Sequence, residues 1–327
     1  MYKRVYLKYI NTLFLFIVLL LVSLVMGIVN PQQFSTLHSI RSLLFQMPEL
    51  GILTLAMMVP VLTGGINLSI IATANLTGII VAIFFRSFNF DKMASSEVII
   101  IFIIGIILTI LFSIICGLLH GFLIGSLKIH PVLATLGTMI FFSGISLLIT
   151  QGKAIKGFPS QMYYLGSGVI FGVPISFILF IFCCIFVSFI LKKTALGLSM
   201  YMFGLNPIAA KFSGLNNKII IYKTYIMSGV LSGVTSLIMI SRFNSAKANY
   251  GESYLLVTIL ILVLGGVSIN GGFGNVIDVL LAIVILNIIS MGFNLANINI
   301  FLTRSVWGLL LIVMLFIRRF VDFRTHY

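Results

Sequence analysis

Gly204-Leu205-Asn206-Pro207-Ile208-Ala209-Ala210-Lys211-Phe212-Ser213-Gly214 is a short, broken stretch in a chain of 327 residues that is 60% hydrophobic and only 8% charged. It reads as a helix that spans nothing. Asn206 suits the N-cap, and Pro207 suits the first helical position, where its missing N–H costs nothing. Residues 208–212 add about one to two turns. Gly214 suits the left-handed stop that ends many helices. Lys192, Lys193, Lys218 and Lys223 flank the stretch, and clustered positive charge marks the cytoplasmic side of a membrane protein. Ile208, Ala209 and Phe212 give the helix an apolar face. Such a face either fills a groove on another protein or lies on lipid.

Outward from this stretch the chain is membrane. A span needs about 20 apolar residues, and ten such segments are centred near residues 20, 53, 76, 108, 139, 180, 231, 262, 283 and 310. Gly, Asn and Ser interrupt the second, third, eighth and ninth. The expected fold is an all-α polytopic membrane protein of about ten transmembrane helices. Residues 1–327 form one transmembrane domain, with a cytoplasmic loop over 192–223. No soluble segment is long enough to bury a core of its own.

The net charge of +14 serves topology and anionic lipid rather than nucleic acid. With the N-terminus inside, twelve of the twenty Lys and Arg fall on the cytoplasmic side, so both termini are expected there. Asp91, Glu97 and Glu252 fall outside, together with Arg86, Lys92, Lys153, Lys156, Arg242 and Lys247. The first apolar run, about 13–29, has no small-x-small cleavage site after it and reads as a retained anchor. Cys116, Cys183 and Cys184 lie in apolar spans without metal-ligand spacing and read as packing residues.

Few side chains offer chemistry. The intramembrane ionisable residues are Glu49, His120, His130 and Asp278, and such residues are functional suspects by default. No ladder of charges crosses the spans, which argues against an ion-coupled carrier. There is no phosphate-binding G-x-x-x-x-G-K-[ST], no G-x-S-x-G and no metal cluster, so if the protein does work the energy comes from elsewhere. The uncharged set is richer. Gly64-Gly65-Ile66-Asn67-Leu68-Ser69 interrupts one apolar run, and Gly265-Gly266-Val267-Ser268 interrupts another. Irregular backbone at membrane depth must line a cavity or be packed within protein. Gly64, Gly65, Asn67, Ser69, Gly265, Gly266 and Ser268 are therefore candidates for a translocation pathway, or for close helix packing. The similarity of 61–67 to 263–270 fits two related halves, spans two to five and seven to ten. It also fits coincidence between two glycine-rich stretches.

Taken together, these motifs resemble the permease family of bacterial ABC importers for ribose and related sugars. Leu62-Thr63-Gly64-Gly65-Ile66-Asn67-Leu68-Ser69 is similar to its L-T-G-G-I-D-L-S signature. Phe122–Gly125 and Thr135–Met139, with Lys128, Ile129 and Pro131 between them, are similar to its G-x-L-x5-I-x-P-x3-T-L-G-T-M region. Gly204–Gly214 resembles its G-x-N-x-x-A-A-x-x-S-G loop, and 263–274 its V-L-G-G-x-S-x-x-G-G-x-G motif. The resemblance covers about residues 50–315. It implies a type II importer-like permease that pairs with a second permease subunit, homo- or heterodimeric, in the bacterial inner (plasma) membrane. An ATPase subunit, holding the ATP and Mg, would dock on Asn206, Pro207, Ala209, Ala210, Phe212, Ser213 and Gly214. An extracytoplasmic solute-binding protein would deliver a small polar solute, by family default a monosaccharide. This chain itself would bind no cofactor and catalyse nothing. Nucleoside or autoinducer import, and a self-sufficient secondary carrier, are the alternatives. Asn67 departs from the family's Asp and leaves the solute more open than the fold.

Overall fold

Every one of the ten apolar segments becomes a helix in the computed structural model, which describes residues 2–34, 36–90 and 93–325. In chain order the helices are α1 Tyr2–Val29, α2 Leu37–Leu62, α3 Ile70–Arg86, α4 Ser95–Gly121, α5 Pro131–Thr150, α6 Ser160–Ser167, α7 Ile175–Lys193, α8 Ala195–Leu205, α9 Pro207–Phe212, α10 Asn217–Phe243, α11 Tyr254–Leu264, α12 Val276–Leu295 and α13 Ile300–Thr325. A π-turn, Phe122–Ser126, extends α4, and a two-stranded hairpin, Val169–Ile170 with Val173–Pro174, follows α6. Asp91 and Lys92, expected outside, lie outside the described residues.

Seven of these helices are long and apolar enough to cross a membrane: Asn11–Val29, Leu37–Leu62, Ser95–Ser126, Pro131–Thr150, Ile175–Lys193, Asn217–Phe243 and Val276–Leu295. Two of the other expected spans are shorter than the composition suggested. α3 has 17 residues and α11 only 11, and at 1.5 Å per residue α11 reaches about 16 Å, half a bilayer core. The second glycine break ends the hydrogen-bond ladder of α11, and the first, which ends α2, delays the start of α3 to Ile70. Both then depend on neighbours to cover them.

α2 lies against both, and α10 lies against α3. In each, 72% of the most apolar window is buried, against 6% in α1, so the centre of the bundle is these two helices and α1 is peripheral. Burial comes from small residues as much as from large ones. A Cβ on Gly117 of α4 would sit 2.6 Å from Ile226 Cα of α10, and one on Gly233 of α10 would sit 2.7 Å from Ser113 Oγ of α4. Lipid tails are as apolar as leucine, so helices in a membrane gain mainly by approaching closely, and glycine permits that. The three cysteines are free and buried.

Candidate functional site

The two glycine breaks have the same backbone. After α2, Gly64 N–H donates to Val61 O (2.9 Å) and Gly65 N–H to Pro60 O (3.0 Å), with Gly64 at φ +75°. After α11, Gly266 N–H donates to Val263 O (3.1 Å) and Val267 N–H to Leu262 O (2.9 Å), with Gly266 at φ +72°. Each is a Schellman stop, in which a left-handed residue lets two N–H groups turn back on the last carbonyls. Equivalent glycines do the same task at equivalent places, which favours two related halves over coincidence.

The two breaks also touch. Gly272 N–H donates to Leu62 O (2.9 Å), and Gly64 lies against Asn270 and Gly271. Gly204, near the end of α8, is wedged between them: a Cβ there would overlap Leu62 O and stand 2.5 Å from Gly272 N. Tyr201 Oη, one turn earlier, donates to Gly274 O (2.8 Å), and Thr135 Oγ1 of α5 donates to Ile66 O (3.0 Å). Both breaks and the base of α9 therefore share one end of the bundle.

The candidate pathway residues separate within this region. Asn67 and Ser69 are buried in a polar network. Asn67 Nδ2 donates to Ser228 Oγ (2.9 Å), whose own hydroxyl donates to Ala56 O (2.7 Å). Asn67 Oδ1 accepts from Ser69 N–H (3.1 Å) and Ser69 Oγ (2.8 Å). His120 Nε2 lies 2.8 Å from both Ser69 Oγ and Thr138 Oγ1. His120 Nδ1 and the Tyr225 hydroxyl are buried without a partner among the described residues, and the two rings are 5.9 Å apart. A Cβ on Gly65 would stand 2.5 Å from Tyr225 Oη. Gly265 instead packs on Val279 of α12, Gly266 faces Asn11 of α1, and Ser268 N–H donates within its loop to Phe273 O (2.9 Å). Gly64 is exposed.

The short helix forms as its residues require. Asn206 Oδ1 accepts from Ile208 N–H (2.9 Å) and Ala209 N–H (3.0 Å), and Leu215 N–H closes the far end on Ala210 O (3.1 Å). Asn217 Nδ2 donates to Pro207 O (2.8 Å), tying α9 to α10. Asn206, Pro207, Ala209, Phe212, Ser213 and Gly214 are exposed, with Ile208 69% and Phe212 88% accessible. Ala210 departs from the expected docking set: at 1% exposure it faces its own chain, because a helix this short anchors itself through one inward residue per turn.

Of the ionisable residues, His130 is exposed just before α5. Asp278 accepts from Thr12 Oγ1 (2.5 Å) and so joins α12 to α1. Glu49 is fully buried. Arg242 Nη1 lies 3.3 Å from its Oε1, and Tyr254 Oη donates to its Oε2 (3.4 Å), so α2, α10 and α11 meet there. Arg242, expected as an outer-loop charge, is half of this pair. Sequence alone also passed over Ser228, Thr138, Tyr225 and Gly204 as participants. Gly204 opened the quoted loop motif and Thr138 lies within the quoted 135–139 motif, while Ser228 and Tyr225 carry no local signal. Asn75 Nδ2 donates to Ala248 O (2.8 Å) and Tyr250 O (2.9 Å), holding the segment before α11 inside the bundle.

The family described as branched-chain amino acid transport system / permease component matches residues 39–317. The chain is also similar to the autoinducer 2 import system permease protein LsrD of Salmonella typhi, 29% identical over 312 residues, 93% of this chain and 89% of that one. The protein of the same name from Escherichia coli O9:H4 (strain HS) is 29% identical over 297 residues, covering 88% and 86%. No solved structure matches.

Proposed function

Because this chain belongs to the family of branched-chain amino acid transport system permease components, we propose that it forms half of the translocation path of an ATP-driven importer, with a second permease subunit. The solute is a small polar molecule, a monosaccharide or, on the strength of the relatives, autoinducer 2. A separate subunit binds and hydrolyses ATP with Mg. An extracytoplasmic protein delivers the solute, and both termini lie in the cytoplasm, a reading supported by the bias of Lys and Arg.

The observation that carries this reading is α9. Its backbone is capped at both ends, its base is tied to α10, and Ile208 and Phe212 stand out of it into open space. A rigid, apolar-faced peg is suited to the groove of a motor subunit. Movement of the peg would pass along α8 to Gly204, which touches both glycine breaks at once. A closing motor would thus displace the ends of α2 and α11 together, biasing a two-state path.

The test is co-expression with the ATPase and binding-protein genes, purification of the complex and reconstitution. Phe212→Asp should abolish co-purification of the ATPase and solute-stimulated ATP hydrolysis while the permease stays folded. If Phe212→Asp retains both, α9 is not the coupling element. If the chain by itself transports solute without ATP, the importer reading fails.

A further inference from the structure

The hairpin between α6 and α7 pairs Ile170 with Val173 across a two-residue loop, Phe171-Gly172. Both loop residues have positive φ, +50° and +85°. A hairpin loop of this kind favours Asn-Gly, and a bulky side chain in the left-handed region is strained. Phe171 nonetheless takes the first position. Its side chain stands wholly clear of the protein, at 103% accessibility, and Val169 and Ile170 beside it are exposed. The backbone holds an aromatic ring at the tip against its own preference.

Three contacts fix the depth of this tip. A Cβ on Gly166, at the end of α6, would stand 2.6 Å from Arg242 N. Arg242 Nη1 in turn donates to Phe45 O (3.3 Å) and pairs with Glu49. Further along, Gly51 of α2 lies against the Phe180 ring of α7. The hairpin therefore lies beside residues 45–49 of α2, at the end of the bundle remote from α9. α2 itself runs on outward to Leu37 and carries His38 and Arg41 there. α7 has 19 residues and ends on Lys192 and Lys193. Its rise of about 28 Å matches a hydrocarbon core of about 30 Å. The hairpin, which precedes Ile175, is thus at the boundary between acyl chains and headgroups, below the outermost turns of α2. It packs on α2 and α7, and α6 on α10 and α7, whereas α5 has its main partner elsewhere, in α3.

The surface around the tip carries no charge. No Lys, Arg, His, Asp or Glu occurs between Lys156 and Lys192. Tyr163 and Tyr164 of α6 are exposed just before the hairpin. Ile178, Phe182, Ile185, Phe186 and Phe189 are exposed along α7 at helical spacing just after it. An uncharged, aromatic-rich surface thus continues from the tip into the span.

We propose that the hairpin is an anchor in the bilayer interface, with Phe171, Val169 and Ile170 inserted where headgroups meet acyl chains. Aromatic rings favour that layer, and the tyrosines next to the hairpin suit it through their hydroxyls. A delivery protein landing on this end would meet the polar start of α2 first, and would find no charge on the hairpin to steer it. Because the hairpin packs on α2, the anchor sets the depth of the central helix as well as that of α7.

The experiment places a single fluorophore at the tip. Trp307 is the one tryptophan of the chain, so Phe171→Trp in a Trp307→Phe background reports from position 171 alone. The full chain is reconstituted in phosphatidylcholine nanodiscs, with lipids brominated high or low on the acyl chain as quenchers in the bilayer and iodide as the quencher in water. Emission should be blue-shifted, shielded from iodide, and quenched more by lipid brominated near the headgroup than near the chain end. Phe182→Trp in the same background, two turns into α7, should show the reverse order of the two brominated lipids. Phe171→Asn suits the turn better and should fold, yet it should let iodide reach a reporter at Ile170→Trp. Quenching of Phe171→Trp by iodide and by neither lipid puts the tip in water and overturns the proposal. Shielding that appears only when the delivery protein is added makes the hairpin a protein-docking surface and also overturns it. An Ile170→Trp reporter that stays in lipid beside Phe171→Asn refutes the part given to Phe171.

Discussion

Replacing Gly204 by alanine sets two effects of opposite sign against each other. Alanine is favoured over glycine in a helix interior by about 1 kcal/mol, so propensity alone predicts a more stable α8. Packing predicts the reverse. The new methyl would overlap Leu62 O and stand 2.5 Å from Gly272 N, both backbone atoms that cannot swing aside. Overpacking of this kind costs about 1–3 kcal/mol. The atoms it pushes apart are the donor and acceptor of the Gly272–Leu62 hydrogen bond, both on buried residues, and leaving them unmet costs about 1–3 kcal/mol more. Subtracting the propensity gain leaves a loss near 3 kcal/mol. At roughly 2 °C per kcal/mol, the low end for larger chains, melting should fall by about 6 °C. The assay is already in the molecule: Cys116, Cys183 and Cys184 are free and buried, so a thiol-reactive dye reports unfolding. Gly137→Ala is the control, because nothing lies within 4 Å of a Cβ on that exposed α5 glycine. It should be neutral or up to about 1 kcal/mol stabilising. A Gly204→Ala protein that melts at or above the wild-type temperature would show that the breaks do not close on α8.

Three further outcomes follow from the same geometry. Asn67→Asp restores the family's residue but asks Ser228 to donate both to the carboxylate and to Ala56 O with one hydrogen; one buried acceptor loses its partner, and stability should drop by about 1–3 kcal/mol in a thermal melt, whereas an unchanged melt would remove the network from the account. Ala210→Asp buries a carboxylate against the chain itself and should lower melting temperature and yield, while Phe212→Asp should leave melting unchanged and act only on ATPase binding; equal melts for the two would refute the inward placement of Ala210. Single cysteines at Ser160 and Ser213, both exposed, in a background without native cysteines, should react with an impermeant label from opposite faces of the membrane, and labelling of both from outside would invert the charge-based topology.

What could be read from sequence was local. The cap at Asn206 involves residues two and three positions on, and each glycine stop involves carbonyls three and five positions back, so residue types alone announce them. The number of apolar segments was legible for the same reason. The true lengths of α3 and α11 were not, because the glycines mark where a break falls but not how many residues beside it leave the helix. The polar network was least legible. Asn67 finds Ser228 at a separation of 161 residues and Asn75 finds Ala248 at 173; nothing near either residue announces its partner. Glu49 was visible as a suspect, but its burial depends on Tyr254 and on Arg242, which looked like an outer-loop charge.

Those separations bear on how the protein is made. Membrane insertion runs from the N-terminus, so α2 and α3 enter the bilayer while the second half of the chain is still on the ribosome. At that moment Leu62 O, Asn75 and Glu49 have none of the partners described above, and Asn67 has only Ser69, since Ser228, Arg242, Ala248 and Gly272 have yet to be synthesised. The hydrogen bond of Thr12 to Asp278 spans 266 residues and forms later still. The early helices must persist as a half-built intermediate with polar groups open to lipid or to the insertion machinery. Nascent chains that stall before Gly272 should therefore be short-lived substrates for membrane proteolysis, and release from quality control should come only once α12 has been threaded.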